Sequence, residues 1–145
     1  MDFLTAIKIS SSGLSVQRKR METIASNMAN AETTRTEEGG PYRRKDVVIT
    51  ALPLEDQFGM HLNQELEEKL KEVLVTDIIE DQNEPRMVFN PNHPDANDLG
   101  YVAMPNIDVV SEMVNMMTAT RSYEANVTAI NATKTMAQRA IDLGR

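Results

Sequence analysis

Apolar residues return every seven positions at the start of the chain. Ile7, Leu14, Met21 and Met28 form one row, and Phe3 and Ile24 stand four positions before two of its members. Such spacing draws a single apolar stripe along a helix. Ser10 and Gln17 fill the other offset positions. Polar groups there weaken an isolated helix pair but help to fix register where many helices pack. The far end of the chain repeats the pattern more strongly. Val109, Met116, Tyr123, Ile130 and Ala137 are seven apart, Met113, Val127 and Ile141 interleave with them, and only Thr120 and Lys134 break the second row. Both ends predict long amphipathic helices whose stripes have the spacing to pair as a coiled coil.

The six prolines, Pro41, Pro53, Pro85, Pro91, Pro94 and Pro105, all fall between these arms. Uninterrupted helices are therefore allowed only at the two ends. Pro105 and Asn106 mark the start of the last arm, with Asn106 expected as N-cap and Asp108 and Glu112 placed near the positive end of the dipole. Arg139, Gly144 and Arg145 suit its C-terminal end.

Between the arms, short β-like runs at 46–51, 73–79, 86–89 and 101–103 predict a small sheet or twisted hairpins. Leu62, Leu66 and Leu70 are four apart, which suggests one or two helical turns over 64–71. Residues 90–98 hold two prolines and several Asx residues and read as a loop. The expected fold is mainly α with a small β insertion in an elongated subunit. It divides into a helix over 1–30, a loop over 31–46, a β-rich segment over 47–104 and a helix over 105–145.

Composition changes this picture in one respect. A chain of 145 residues is one domain's worth, yet it has three Phe, three Tyr and no Trp to fill a core, against ten Met. Much of each stripe then has only the other arm, or another molecule, to cover it, and uncovered stripes of that size mark association surfaces.

Charge and missing residue types exclude several classes. The net charge is −7, with residues 1–45 at +3, residues 46–106 at −10 and residues 107–145 neutral. A nucleic-acid partner, which needs a basic face, is not expected. No Cys is present, so disulfides and thiolate chemistry are excluded. No apolar run reaches spanning length, and the first residues lack a basic segment followed by an apolar one. Neither membrane insertion nor cleavable export is indicated. His61 and His93 are the two imidazoles, and neither has a metal-motif spacing. His93 with Asp95 and Asp98 reads better as a solvated turn than as a metal site. No phosphate-binding loop or nucleophile elbow occurs. No enzyme activity, metal or cofactor is expected.

The most distinctive residues close the first arm: Ile24, Ala25, Ser26, Asn27, Met28, Ala29, Asn30 and Ala31, followed by Thr33 and then by Gly39, Gly40, Pro41, Tyr42, Arg43 and Arg44. This SxNxAN run resembles the signature of the flagellar rod, hook and hook-associated axial proteins, and the later Gly-Gly-Pro-Tyr-Arg-Arg resembles their proximal-rod branch. Further blocks at 85–96, 100–108 and 112–126 follow in family order. Glu32 and Glu37 depart from the usual residues, and 55–72 match no pattern.

Physically, Ala25 and Ala29 are small enough for another backbone to approach. The amides of Asn27 and Asn30 offer donors and acceptors between crowded subunits, and Asn30 suits the left-handed conformation that stops a helix.

The resemblance implies a structural subunit of a helical tube. The terminal helices pack as a coiled coil, and Ser26, Asn27, Ala29, Asn30, Thr33, Gly39, Gly40, Tyr42, Arg43 and Arg44 form an assembly motif. Implied partners are copies of itself, other flagellar rod proteins, the MS-ring and rod-base adaptor proteins, and the flagellar type III export apparatus. The chain would cross unfolded to the periplasmic rod without cleavage, its ends poorly ordered before assembly, and the Met-rich stripes would adapt to different lattice contacts. The alternative reading is a helical-hairpin binding module that presents the acidic β segment to a basic partner.

Overall fold

The computed structural model describes residues 3–53 and 71–144. In chain order these form α1 (Phe3–Ala29), β1 (Lys45–Pro53), β2 (Lys71–Glu80), β3 (Arg86–Phe89), β4 (Tyr101–Met104) and α2 (Val109–Leu143). The helical turn expected over 64–71, and His61, lie outside the described residues except for the final position of that stretch, which begins β2.

The two helices pack against each other and run antiparallel. Asn27 meets Glu112, Met21 Sδ lies 3.5 Å from Thr120 Oγ1, and Gly13 lies against Asn126. A Cβ on Gly13 would come within 2.9 Å of Asn126 Nδ2. Glycine at 13 therefore lets the helices approach more closely than any larger residue would.

β1 and β2 pair antiparallel with a register shift between Val48 and Ile49, and the pair docks on α1. The Val73 N–H donates to Ser12 Oγ over 3.2 Å, while the Ser12 hydroxyl donates to the Ile9 carbonyl over 2.8 Å. One hydroxyl thus satisfies a strand amide against the side of a helix.

β3 and β4 form a second antiparallel pair, from Arg86↔Met104 to Phe89↔Tyr101. Strand alternation turns Val88, Val102 and Met104 inward and leaves Met87, Phe89 and Tyr101 exposed. Gly100 has φ +78°, and a Cβ there would sit 2.9 Å from the Phe89 ring. Phe89 in turn packs edge-on to Tyr101 with centroids 5.3 Å apart.

The buried apolar residues among those described are few: Val16, Ile24, Val102, Ile107 and Ala119, with Pro105 beside them. Thr23, Asn27 and Glu112 are buried with them. This small, partly polar core is what the scarcity of aromatic residues predicts. Among the described residues no helix is long and apolar enough to cross a membrane.

Three expectations are corrected. The N-cap of α2 is Asp108 rather than Asn106. Ile107 is buried, and the extended link that seats it delays the helix by two residues. Asp108 accepts from the Ser111 hydroxyl at 2.6 Å and from the Val110 N–H at 3.1 Å. These bonds, the hydroxyl's first, hold its carboxyl below the usual range. Second, Asn30 does not adopt a left-handed conformation, since the positive φ values described belong to Gly39, Gly40 and Gly100.

Third, the inner face of α2 differs from the one read from spacing. Met116, Tyr123, Ile130 and Ala137 are half-buried, as is Val127, but Val109, Met113 and Ile141 are exposed. The second inward row is Glu112, Ala119, Asn126 and Thr133. Its members are small or polar, and that is the side on which Gly13 allows close approach.

Candidate functional site

The end of α1 is fastened to the start of β1 and α2 by one buried polar cluster. Asn27 is fully buried, at 0% exposure, and Glu112 is 2% exposed. Asn27 Nδ2 donates to the Lys45 carbonyl at 2.8 Å, and its Oδ1 accepts the Lys45 N–H at 2.9 Å. A side-chain amide has the same donor–acceptor pair as a peptide, so Asn27 reads β1 as a neighbouring strand would. Oδ1 also accepts from the Tyr42 hydroxyl at 3.2 Å, and Nδ2 lies 3.4 Å from Glu112 Oε2.

Glu112 places a carboxylate where water is excluded, and Arg44 answers it. Arg44 Nε donates to Glu112 Oε1 at 2.9 Å and its Nη1 donates to Asp46 Oδ2 at 3.1 Å. Burial works against the guanidinium charge, but the bonds to Glu112 and Asp46 outweigh it and hold the pKa above the ordinary arginine value. A buried carboxylate without such a partner is strongly destabilising, so the cluster holds together as a unit.

The loop between helix and strand is built from the same residues. Asn30 Nδ2 donates to the Ser26 carbonyl, and Asn30 Oδ1 accepts from the Thr33 hydroxyl. The Thr33 carbonyl accepts the Tyr42 N–H, and the Ser26 and Tyr42 hydroxyls lie 3.2 Å apart. Gly39 and Gly40, at φ +87° and +84°, turn the chain so that Thr36 N–H donates to the Gly40 carbonyl. Lys45 Nζ lies over the Tyr42 ring, 5.9 Å from its centroid.

Of the residues singled out from sequence, Ser26, Asn27, Asn30, Thr33, Tyr42 and Arg44 are thus drawn into one intrachain network. The amide of Asn27 is bonded within its own chain, because β1 lies within its reach. Ala29, Gly39, Gly40 and Arg43 remain exposed, and Arg43 makes a 3.4 Å contact to Gln82 Oε1.

On α1, Ile24 is buried, while Ile7, Leu14, Met21 and Met28 are half-buried. Gln17 Oε1 is buried and has no donor among the described residues. Sequence reasoning missed Glu112 as a member of the cluster. Spacing carries no signal for it, because only the structure shows that the row it shares with Ala119 and Asn126 turns inward.

The cluster carries no reactive arrangement: a half-buried guanidinium and a buried carboxylate neutralise each other and fasten three elements. Elsewhere, His93 Nδ1 accepts the Asp95 N–H at 3.1 Å. Among the described residues no group of three or more His, Asp or Glu is placed to hold a metal.

Comparison with known proteins places both arms. A family model described as "Flagella basal body rod protein" matches residues 7–35, and one described as "Flagellar basal body rod FlgEFG protein C-terminal" matches residues 99–143. Asn27 falls in the first match and Glu112 in the second, and together the models define a flagellar rod protein. Full-length similarity narrows the class. The chain is 42% identical to the flagellar basal-body rod protein FlgC of Bacillus subtilis (strain 168), over 97% of each chain. It is 41% identical to FlgC of Yersinia enterocolitica over the whole of both chains, and 36% identical to FlgC of Borreliella burgdorferi over 97% of each. The chain belongs to the FlgC family of flagellar basal-body rod proteins.

Proposed function

We propose that this chain is a structural subunit of the proximal rod that polymerises helically. The resulting shaft transmits motor torque and encloses the export channel. The observation that carries the reading is end-to-end similarity to FlgC rod proteins, covering both helices and the segment between them. In this reading the chain performs no catalysis. Its neighbours are copies of itself, other rod proteins, and the MS-ring and rod-base adaptor proteins, which it reaches through the flagellar type III export apparatus as an uncleaved chain. Its final position is the periplasmic rod.

The outer side of α2 supports this reading. Val110, Met113, Val114 and Met117 are exposed at one-turn spacing, a stripe of the kind that association covers. By contrast α1 turns Lys8, Arg18, Lys19 and Glu22 outward. In the assembled rod the helix pair packs as a coiled coil, and the exposed members of its rows, Val109, Met113 and Ile141, meet neighbours.

Complementation tests the proposal. In a motile bacterium lacking its own FlgC, expression of this chain restores rods and swimming. Met113→Lys or Met117→Lys abolishes both while leaving the helical circular dichroism of the purified chain unchanged. Rods and swimming in the deletion strain without any complementing chain would overturn it.

A further inference from the structure

Heptad-spaced apolar rows do not by themselves choose one alignment of two helices. Sliding α2 along α1 by seven residues, about 10 Å at 1.5 Å per residue, maps Met116, Tyr123, Ile130 and Ala137 onto one another. A closely similar apolar row then meets α1, so apolar burial discriminates poorly between the two alignments.

The residues that do not repeat discriminate well. In the observed alignment Glu112 lies beside Asn27 and accepts from Arg44, which is tied to α1 because Asn27 grips the adjacent Lys45 backbone. Slid one heptad in one direction, Asn27 and Arg44 face Ala119, while Glu112 passes beyond Ala29, where α1 ends. Slid the other way, Asn27 comes opposite Pro105, outside α2, and the last turn of α1 loses its helical partner. In both cases Arg44 leaves the Glu112 carboxylate. Stranding a carboxylate as buried as Glu112 is unfavourable, and single buried polar positions are known to set the register of helix pairs.

We propose that Asn27, Arg44 and Glu112 form a register lock that selects one of the heptad-related alignments of α1 and α2. The lock engages only when the loop from Ala29 to Lys45 has closed, so loop closure and helix alignment are one event. It also sets where the exposed stripe of α2 stands relative to both β pairs. The proposal concerns a single chain, so its test does not depend on rod formation.

The absence of cysteine makes the test direct. Gly13→Cys is combined in turn with Ala119→Cys, Asn126→Cys or Thr133→Cys, which lie on one row of α2 at the observed position and one heptad to either side. Each purified full-length chain is oxidised, and the intrachain disulfide is quantified by mass spectrometry. With the lock intact, the Gly13→Cys/Asn126→Cys chain closes at least tenfold faster than the other two.

Introducing Asn27→Leu, Arg44→Met and Glu112→Met together lowers that preference at least tenfold while helical circular dichroism persists. A triple variant that stays helical and keeps the preference overturns the lock. If the triple variant loses its helical signal, Glu112→Gln decides, because it keeps the side-chain shape and the Asn27 bond while removing the charge. A threefold or greater fall in preference supports the lock, and an unchanged preference overturns it.

Discussion

The two ends of the helix pair are built from the same heptad pattern and reach opposite outcomes. Where α1 ends and α2 begins, Asn27, Arg44 and Glu112 form a hydrogen-bonded cluster, and Ile24, Val102, Pro105 and Ile107 are buried. Where α1 begins and α2 ends, Leu4, Met136, Ile141 and Leu143 are exposed, Leu143 at 89%. α2 has 35 residues against 27 in α1, and in the observed register its last turns run past the first turn of its partner. The difference teaches that a repeating stripe does not confer even stability. Burial comes from what is packed on it: the loop closes over one end only, and the β1–β2 pair runs along α1 from Asn27 as far as Ser12, short of the first turns. Local unfolding should begin at the end that lacks them.

The sharpest way to break the contrast is to attack the closed end. Arg44→Met strands the Glu112 carboxylate and should cost about 3 kcal/mol or more of folding stability, read as a lowered urea midpoint. Adding Glu112→Met should recover most of the loss, since an apolar pair of similar volume replaces a buried ion pair at little cost.

A smaller loss is expected at the β3–β4 turn. Gly100→Ala imposes a side chain at φ +78° and presses it against Phe89, for a cost of about 1–3 kcal/mol. Near-ultraviolet circular dichroism from Phe89 and Tyr101 should change with it.

The cap of α2 gives a weaker, pH-dependent effect. Asp108 binds its proton less readily in the folded chain than at the usual value of 3.8. Its contribution is therefore fully present above that value and is lost as pH falls through the lower folded pKa. Asp108→Asn keeps a capping oxygen and removes the titration. The melting temperature of the variant should accordingly fall less than that of the unmodified chain between pH 5 and pH 2.

The smallest effect belongs to the open end. Leu143→Ser should change stability by no more than about 0.5 kcal/mol, and amides of residues 136–143 should exchange with deuterium faster than those of 116–123. Comparable protection along the whole of α2 would erase the contrast between the ends.

Much of this architecture was legible without coordinates. Runs at 46–51, 73–79, 86–89 and 101–103 anticipate the four strands because β-branched and aromatic residues cluster there between turn formers. The proline-free arms anticipate the helices for an equally local reason, the absence of any residue that breaks the backbone ladder. The row Met116, Tyr123, Ile130 and Ala137 was readable from spacing alone. The second row was not, because which flank of a helix turns inward depends on the partner's shape, here the missing side chain at Gly13. Nor was the role of Asn27 readable. An Asn near a helix end signals a cap or a subunit contact equally well, and only the arrival of Lys45 from eighteen residues downstream makes it an intrachain clasp.

By itself, then, the sequence determined the local quantities: two helices, four short strands, an acidic middle, and a core too poor in large apolar residues to be extensive. These follow from backbone propensity and from which side chains exist to be buried. The tertiary structure alone decided which carboxylate enters the core, which arginine reaches in to pair with it, and which of several equivalent alignments the helices adopt. Those choices rest on contacts between residues distant in sequence, where the desolvation of one charge is tolerable only beside its partner, and periodicity carries no record of that.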